Sequence, residues 1–386
     1  MVAPLHCLLA SGNFYMRLKI SILFVARSLG LFALSRYVSN DHVRVLCYHG
    51  GCVGDEYQYN SKLFTSQAHF RERLDWMQAA GFRFISLDEA TDIDKGQPAD
   101  QPRVVITFDD GWHTTATCLL PVLAERQIPS TLYLCTKHFL EGWPVPGVSV
   151  RYILWKTRQD TAIVKGLCPD LDGEYDLRNA NKRKQLITRA IAFVRTKHSR
   201  AEVCDALESF ALCLGISPSQ LDLASRRFEY ASREEIQAAS VACAIEAHGH
   251  VHSYPAGAPD RFAEDLRRCS DEIAALGLPR PRHYCYPSGS HDEAAAGVLH
   301  QNGMKSATTC VTGLMEVGKR DSYYYLPRFL DGESVHQIEF EAEMSGFSEL
   351  VRARLLRPLT VVREQGLMVL ARRWLQRQPR AADAIQ

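Results

Sequence analysis

The stretch Val104-Val105-Ile106-Thr107-Phe108-Asp109-Asp110-Gly111-Trp112 joins an apolar, β-branched run directly to two adjacent carboxylates. Such a run is typical of a buried β-strand, and two carboxylates at its end are costly to bury without partners. In barrel folds the active site collects at the carboxyl ends of the strands. Asp109 and Asp110 are therefore candidate catalytic or metal-binding residues, and the open alternative is that they cap a following helix.

From Val43 onward, short β-branched or aromatic runs alternate with longer helical stretches, which predicts strand-helix units and a largely parallel sheet. Eight strand candidates are enough to close a barrel, so the predicted fold class is α/β, a (β/α) barrel. Helices are predicted at 66–80, 115–126 and 261–276, where apolar residues recur at helical spacing. The strand candidates are 44–48, 83–87, 103–108, 130–135, 242–247, 283–286, 305–309 and 324–327.

The length of 386 residues suits one barrel with additions. Residues 137–239 are too many for one crossover and are rich in helical, charged sequence, so we predict a helical insertion between two barrel strands. The expected organisation is an N-terminal amphipathic segment over 1–40, a barrel over 41–345 that includes the insertion, and a basic helical tail over 346–386.

Both ends of the chain are amphipathic. The apolar segment 18–38 is broken by Arg27 and Arg36, and a central arginine is costly in a membrane span. We expect a helix that packs on the protein or lies at a membrane surface, with a targeting segment as the alternative. The tail after Phe347 alternates arginines with leucines and valines, which allows packing on the domain or contact with an anionic membrane.

The overall composition excludes few partners but gives no sign of a nucleic-acid binder. The 45 Lys and Arg residues balance 44 Asp and Glu residues. The 12 cysteines include no C-x-x-C pair, and Cys47, Cys135, Cys243 and Cys285 lie in apolar runs, where cysteine behaves as a small hydrophobe. We therefore expect reduced thiols and a cytoplasmic location, peripheral to the inner membrane if the terminal helices reach it.

A second polar motif, His248-Gly249-His250-Val251-His252, follows the apolar run 241–247. Histidines four residues apart can direct two imidazoles at one ion, and a carboxylate completes a two-histidine, one-carboxylate site with open positions. A lone histidine is more often structural, but three within five residues at a strand end indicate a site. His248 and His252 are the predicted ligands, because the i+2 spacing turns His250 elsewhere.

Together the two motifs resemble those of the polysaccharide deacetylases of the NodB-homology type, carbohydrate esterase family four. That family carries T-F-D-D-G and H-[S/T]-x-x-H motifs on a distorted (β/α) barrel, and the resemblance covers about residues 44–332 without the insertion. It implies that Asp109 is the general base and that Asp110, His248 and His252 bind a divalent metal, expected to be Zn²⁺.

The histidine motif departs from the family pattern at one position. Gly249 replaces the usual Ser or Thr, which removes a supporting hydrogen bond but no ligand. A rival alignment would match His250 to the first histidine and leave Tyr254 in place of the second, so the register that keeps both ligands is preferred.

The family's R-x-P-Y/F-G motif corresponds to Cys285-Tyr286-Pro287-Ser288-Gly289, where the arginine that orients the base is missing. Arg328, in Leu326-Pro327-Arg328, follows a predicted strand and could replace it by approaching Asp109 across the barrel mouth. In the family a backbone N–H of this loop helps to hold the oxyanion, and Ser288 occupies that position here.

The usual terminal motif, Leu-x-Leu-His, is not found near the C-terminus, but Leu46-Cys47-Tyr48-His49 has this pattern on the first strand. Because a barrel closes its first strand against its last, an acid-bearing strand can occupy either end of the chain. This order resembles the exopolysaccharide branch of the family and makes His49 the candidate general acid. The alternative is a hydrogen-bonded structural histidine.

The resemblance implies metal-dependent removal of acetyl groups from N-acetylated or O-acetylated sugars, the substrate being an N-acetylhexosamine-containing polysaccharide or its precursor. Trp112, Tyr254 and Tyr286, with Pro287 and Ser288, are the predicted substrate contacts, ordinary packing being the alternative for the aromatic rings. Two other functions stay open at this point: hydrolysis of a small non-peptide amide, and non-catalytic sugar binding in polysaccharide assembly.

Overall fold

The computed structural model describes residues 5–94 and 99–353. The chain divides into two units, one made of residues 40–336 and the other of residues 1–39 with 337–386. In chain order the strands are β1 (Val43–Tyr48), β2 (Gly50–Gly51), β3 (Phe64–Thr65), β4 (Arg83–Phe84), β5 (Arg103–Asp110), β6 (Ser130–Leu134), β7 (Thr161–Val164), β8 (Gly173–Asp176), β9 (Cys243–Ala247), β10 (His283–Cys285), β11 (Ser306–Thr308) and β12 (Phe329–Leu330).

The larger unit is built on an eight-stranded sheet in which every neighbouring pair of strands is parallel. The strand order is β11-β10-β9-β6-β5-β1-β12, and β4 pairs with the first residues of β5. All eight residues of β5 are buried, as are all six of β1. Burial on both faces is why Val104-Val105-Ile106 and Val45-Leu46-Cys47 are runs of consecutive apolar residues rather than alternating ones.

The segment 326–330 closes the barrel. The N–H of Leu326 donates to the Ala307 carbonyl at 2.8 Å on the β11 side, and Phe329 pairs with Leu46 of β1 on the other side. The predicted strand over 324–327 is wrong, because a 3₁₀ helix extends to Tyr325 and the strand begins at Phe329. Pro327 has no N–H to donate to a neighbouring strand. The segment therefore pairs with β11 before Pro327 and with β1 after it. The distorted (β/α) barrel itself is confirmed.

Helices cover the sheet, and those predicted at 66–80, 115–126 and 261–276 are present within a few residues, the second beginning as a π-helix over Thr115–Leu119. The α-helices in chain order are α1 (Leu5–Ser28), α2 (Leu31–Val38), α3 (Glu56–Tyr59), α4 (Gln67–Ala79), α5 (Leu87–Asp92), α6 (Leu120–Glu125), α7 (Thr136–Glu141), α8 (Pro146–Lys156), α9 (Ala180–Val194), α10 (Arg200–Cys213), α11 (Pro218–Leu221), α12 (Arg233–Ala239), α13 (Pro259–Ala274), α14 (Ala295–Gln301), α15 (Gln337–Met344) and α16 (Phe347–Val351).

The insertion lies between β6 and β9, which are neighbours in the sheet. It contains α7 to α12 and also an antiparallel hairpin of β7 and β8, which the prediction of a helical insertion did not include. Ion pairs hold it to the segment after β1: Arg227 contacts Asp55 at 2.6 Å and Glu56 at 2.7 Å, and Lys156 contacts Asp55 at 2.7 Å. Glu56 is fully buried, so its charge requires this partner.

The smaller unit packs α15 and α16 with the N-terminal helices. Its buried core contains Leu23, Ala26 and Phe32 together with Ile338 and Ala342. The sequence placed residues 337–345 with the barrel, whereas α15 groups here with α1 and α2, because its buried face meets theirs. The predicted tail over 346–386 lies outside the described residues beyond position 353.

Candidate functional site

The paired carboxylates occupy the last two positions of β5, and the backbone turns sharply there. Asp110 has φ 76° and Gly111 has φ 101°, and a Cβ on Gly111 would clash with the Leu134 side chain. This turn sends the two carboxylates to different partners. The indole Nε1 of Trp112 donates to Asp110 Oδ2 at 2.8 Å, which leaves Oδ1 directed toward the histidine motif.

Asp110, His248 and His252 converge on one point. Asp110 Oδ1 lies 3.4 Å from His248 Nε2 and 3.1 Å from His252 Nε2, and the three atoms lie within 4.8 Å of one another. Oδ1 is buried, yet within the described part of the chain it has no partner of hydrogen-bonding geometry. A buried, unsatisfied oxygen that faces two imidazole nitrogens fits a divalent cation.

The orientation of both imidazoles supports a ligand role. His248 Nδ1 donates to the Cys285 carbonyl at 2.8 Å, which leaves the lone pair on Nε2, the nitrogen that faces Asp110. His252 adopts φ 51°, an unfavourable region for a non-glycine residue. Its side chain is 33% exposed while that of His248 is 2% exposed. The candidate metal site is therefore closed on one side and open to solvent on the other.

Asp109 forms a buried, two-pronged ion pair with Arg328. Nη1 contacts Oδ1 at 2.7 Å and Nη2 contacts Oδ2 at 2.8 Å, and the side chains are 2% and 5% exposed. Arg328 is itself fixed by the carbonyl of Thr309, 3.0 Å from Nε, and by the Tyr133 ring below it. Burial alone would raise the pKa of Asp109, but the Arg328 guanidinium outweighs it and holds that pKa well below its usual range. The carboxylate is thus ionised and fixed in orientation.

His49 follows β1 at the same end of the barrel. Its Nε2 lies 3.9 Å from Asp109 Oδ2, and the ring is 20% exposed. The carbonyl of His49 accepts a hydrogen bond from Thr115 Oγ1 at 2.5 Å, at the start of the π-helix. The structure therefore brings His49 to the edge of the carboxylate, between the Asp109–Arg328 pair and solvent.

The residues predicted to contact substrate differ in how exposed their side chains are. Trp112 is 2% exposed and Tyr286 and Pro287 are buried, so these residues offer no open face to a sugar. Trp112 instead orients Asp110, and Tyr286 packs between Tyr284 and Tyr325. This is the packing alternative left open from the sequence. Tyr254 is half-buried and donates to Asp292 at 2.7 Å, and Ser288 is exposed at φ 56°.

His250 faces away from the candidate metal site. Its Nδ1 lies 2.9 Å from Thr136 Oγ1, and the side chain is buried on that side of the loop. The geometry thus agrees with the register that uses His248 and His252 and leaves Tyr254 outside the ligand set.

The sequence interpretation missed two supporting residues. Cys285, at the position of the family arginine, places Sγ 3.0 Å from Arg328 Nη2 and 3.4 Å from Asp109 Oδ2. Asp265 of α13 accepts hydrogen bonds from the N–H groups of His250 and Val251 at 2.8 and 3.0 Å. Gly249 has φ 79°, and a Cβ there would lie 2.8 Å from Asp265 Oδ2, so glycine at this position is required by the backbone.

Comparisons with known proteins place the chain near the polysaccharide deacetylases. The profile of the Polysaccharide deacetylase family matches residues 96–150 and 216–307. Poly-beta-1,6-N-acetyl-D-glucosamine N-deacetylase of Escherichia coli (strain K12) is 24% identical over 135 residues, which are 32% of this chain and 20% of that protein. The chain thus spans about a fifth of the length of the curated relatives that it matches.

Two solved structures share the fold. IcaB from Ammonifex degensii has a TM-score of 0.50 at 17% identity, covering 79% of this chain and 97% of its own. The Streptococcus pyogenes deacetylase PplD, solved in complex with acetate, has a TM-score of 0.51 at 14% identity, covering 78% and 98%. The matched profile covers 147 of the 386 residues, and together with the shared barrel and the two motifs at its strand ends it shows that the chain is similar to the polysaccharide deacetylase family.

Proposed function

We propose that this protein is a metal-dependent deacetylase that removes acetyl groups from N-acetylhexosamine units of a polysaccharide or its precursor. The observation that carries the proposal is the unsatisfied Asp110 Oδ1, which faces the Nε2 atoms of His248 and His252 beside an ionised Asp109. Support for the substrate class comes from the E. coli relative, whose name specifies an N-acetylglucosamine polymer.

Asp110, His248 and His252 would hold the ion, which we propose to be Zn²⁺ because two imidazoles and one carboxylate suit it. When bound, such an ion supplies Lewis-acid polarisation of the acetyl carbonyl and a lowered pKa for the attacking water. Trp112 contributes by donating to Oδ2 of Asp110, so that this carboxylate presents Oδ1 to the two imidazoles.

Asp109 is positioned to accept a proton from the attacking water as general base. Arg328 keeps it ionised and fixes both oxygens, which is the task of the missing family arginine. His49, at the exposed edge of the same carboxylate, is positioned to give a proton to the departing amine. The loop at Ser288 is our candidate for the oxyanion contact.

The first experiment is acetate release from N-acetylated chitooligosaccharides and poly-N-acetylglucosamine by the full chain, after metal stripping and after addition of Zn²⁺. We expect release that depends on metal and falls by at least about 10²-fold in Asp109→Asn. Asp170→Asn, a change at an exposed aspartate of the insertion, is the matched control and should remain active. No release at full metal occupancy would contradict the proposal and favour a small-amide hydrolase or a sugar-binding protein.

We further propose that the smaller unit holds the protein at the cytoplasmic surface of an anionic membrane. No single described helix is long and apolar enough to cross a bilayer, but residues 16–28 and 31–38 pass that test jointly across a 76° bend. Apolar side chains in this region face solvent, including Val25 at 58% exposure and Leu29, in the link between the two helices, at 71%. Such a face suits an interfacial helix.

Co-sedimentation with vesicles tests this placement. The full chain should bind vesicles that contain anionic lipid and lose most of that binding in Val25→Ser/Leu29→Ser. Equal binding by the variant and the parent chain would contradict it.

A further inference from the structure

A cavity of about 430 Å³ opens beside the histidine loop, where the barrel meets the insertion. Val251 lines it, and the next residue, His252, directs its imidazole at Asp110. Consecutive Cα atoms are only about 3.8 Å apart, so the cavity borders the loop that carries this candidate ligand. The loop is also tied to the cavity wall, because the N–H of Lys137 donates to the His250 carbonyl at 2.9 Å.

The two walls of the cavity have different origins. Lys137 and Trp143 belong to the part of the chain that the family profile matches, whereas Val194, Arg195 and Lys197 fall in the stretch from 151 to 215 that it passes over. One wall is therefore supplied by sequence outside the family profile. A substrate preference of this chain beyond acetyl removal could be encoded there.

The cavity carries more positive than negative charge. Its lining includes Lys137, Arg195 and Lys197 but one carboxylate, Glu141. Glu141 is already engaged, because it accepts a hydrogen bond from His138 at 2.8 Å and lies 4.0 Å from the Lys137 ammonium. Within the described ranges, no carboxylate forms an ion pair with Arg195 or Lys197, and the latter has its ammonium 4.6 Å from the centre of the Phe193 ring.

The remaining lining is apolar and aromatic, with half-buried Trp143 among Val145, Pro146 and Val194. A concave site with an aromatic wall and a few charged groups is typical of a pocket for a small polar ligand, and its volume lies within the usual range of about 300–1,000 Å³. Both features suit one sugar ring that carries a negative charge.

We propose that this cavity binds the sugar unit next to the one being deacetylated and recognises an anionic group on it, a uronic carboxylate or a phosphate. The inference rests on the proposed function, because it assigns a subsite to that reaction. It also implies that a neighbouring unit whose amine is already free, and therefore cationic, is disfavoured in this position. Deacetylation would then avoid units adjacent to earlier products.

Binding measurements with three defined probes test the proposal on the metal-loaded full chain. The probes are a tetrasaccharide of alternating glucuronate and N-acetylglucosamine, an N-acetylglucosamine disaccharide 1-phosphate, and neutral tetra-N-acetylchitotetraose. We expect one anionic probe to bind about five- to tenfold more tightly than the neutral one at low salt. Which anionic probe it is distinguishes carboxylate from phosphate.

The preference should disappear in Lys137→Gln/Arg195→Gln and reverse in Arg195→Glu, while Lys182→Gln/Lys184→Gln, two exposed lysines of α9, should keep it. Equal dissociation constants for all three probes, or an unchanged preference in the cavity variants, would overturn the inference. Acetate release from the neutral tetramer separates the two proposals. Release without any anion preference overturns the subsite alone, and no release at full metal occupancy overturns the proposed function.

Discussion

Replacement of Arg328 by glutamine should reveal how much the buried ion pair contributes to the free energy of unfolding. Arg328 and Asp109 are 2% and 5% exposed and share two contacts of 2.7 and 2.8 Å. Solvent therefore screens the pair little, and removal of one partner leaves a buried carboxylate without a counter-charge. Breaking such a pair costs about 3–5 kcal/mol. We expect the free energy of unfolding of Arg328→Gln to fall by that amount at neutral pH.

The loss should depend on pH with a defined sign. In the parent chain burial raises the pKa of Asp109, but Arg328 lowers it by more, so the folded pKa lies below the unfolded value of about 3.9. The stabilisation by the ion pair is therefore fully present above the unfolded pKa and is lost only as pH falls through the lower folded pKa. In Arg328→Gln the largest influence that lowers this pKa is lost, and burial then raises the pKa against only the weaker influence of His248 and His49, so the penalty is relieved as pH falls. The difference in stability between the parent chain and Arg328→Gln should therefore shrink as pH is lowered from neutral.

Urea unfolding followed by circular dichroism measures these quantities. The double variant Asp109→Asn/Arg328→Gln, which removes both charges, should recover most of the loss. Arg83→Gln removes an exposed partner of Glu89 and should cost no more than about 0.5 kcal/mol. A loss below about 1 kcal/mol in Arg328→Gln, or no recovery in the double variant, would refute the view that the pair is coupled and buried.

Three further outcomes follow from the site. Asp110→Ala should abolish stoichiometric Zn²⁺ binding in elemental analysis with little change in the far-ultraviolet spectrum, and retained stoichiometric metal would rule out its ligand role. His49→Gln should lower kcat by about 10²- to 10⁴-fold with metal content unchanged, and a parent-like kcat would make His49 structural. Gly249→Ala would place a Cβ on a residue with φ 79° and bring it against the Asp265 carboxylate, so it should destabilise the protein by about 1–2 kcal/mol. A neutral effect in thermal unfolding would contradict the strained geometry.

The parts of the site that lie in short local patterns could be predicted from the sequence. Asp109 and Asp110 end an apolar strand, and His248 and His252 follow another. Because the carboxyl ends of parallel strands lie at the same edge of a sheet, this placement predicted that the four residues would lie close together. The partnership of Arg328 with Asp109 spans 219 residues. It was predicted only because a family resemblance showed that an arginine was missing.

Other features depend on packing that a linear pattern does not specify. The turn at Gly111 decides whether the ring of Trp112 faces a sugar or is buried against Asp110. The residues next to Trp112 in the sequence are the same in both cases, so the sequence pattern does not distinguish them. The strand prediction over 324–327 failed because Pro327 interrupts the ladder. The grouping of α15 with the N-terminal helices depends on contacts between segments more than 300 residues apart, such as Arg27 with Glu341.

The segment that closes the barrel also carries the counter-charge of Asp109, the proposed general base. Residues 326–330 pair with β11 on one side and β1 on the other, and Arg328 lies between these two pairings. During synthesis, Asp110, His248 and His252 all emerge before this segment, so a nascent or clipped chain that ends before residue 328 has all three proposed metal ligands. It lacks the group that keeps Asp109 ionised. Closure of the barrel and pairing of Arg328 with Asp109 are therefore coupled. Under the proposed function, an unfinished barrel would bind metal without acquiring hydrolytic activity.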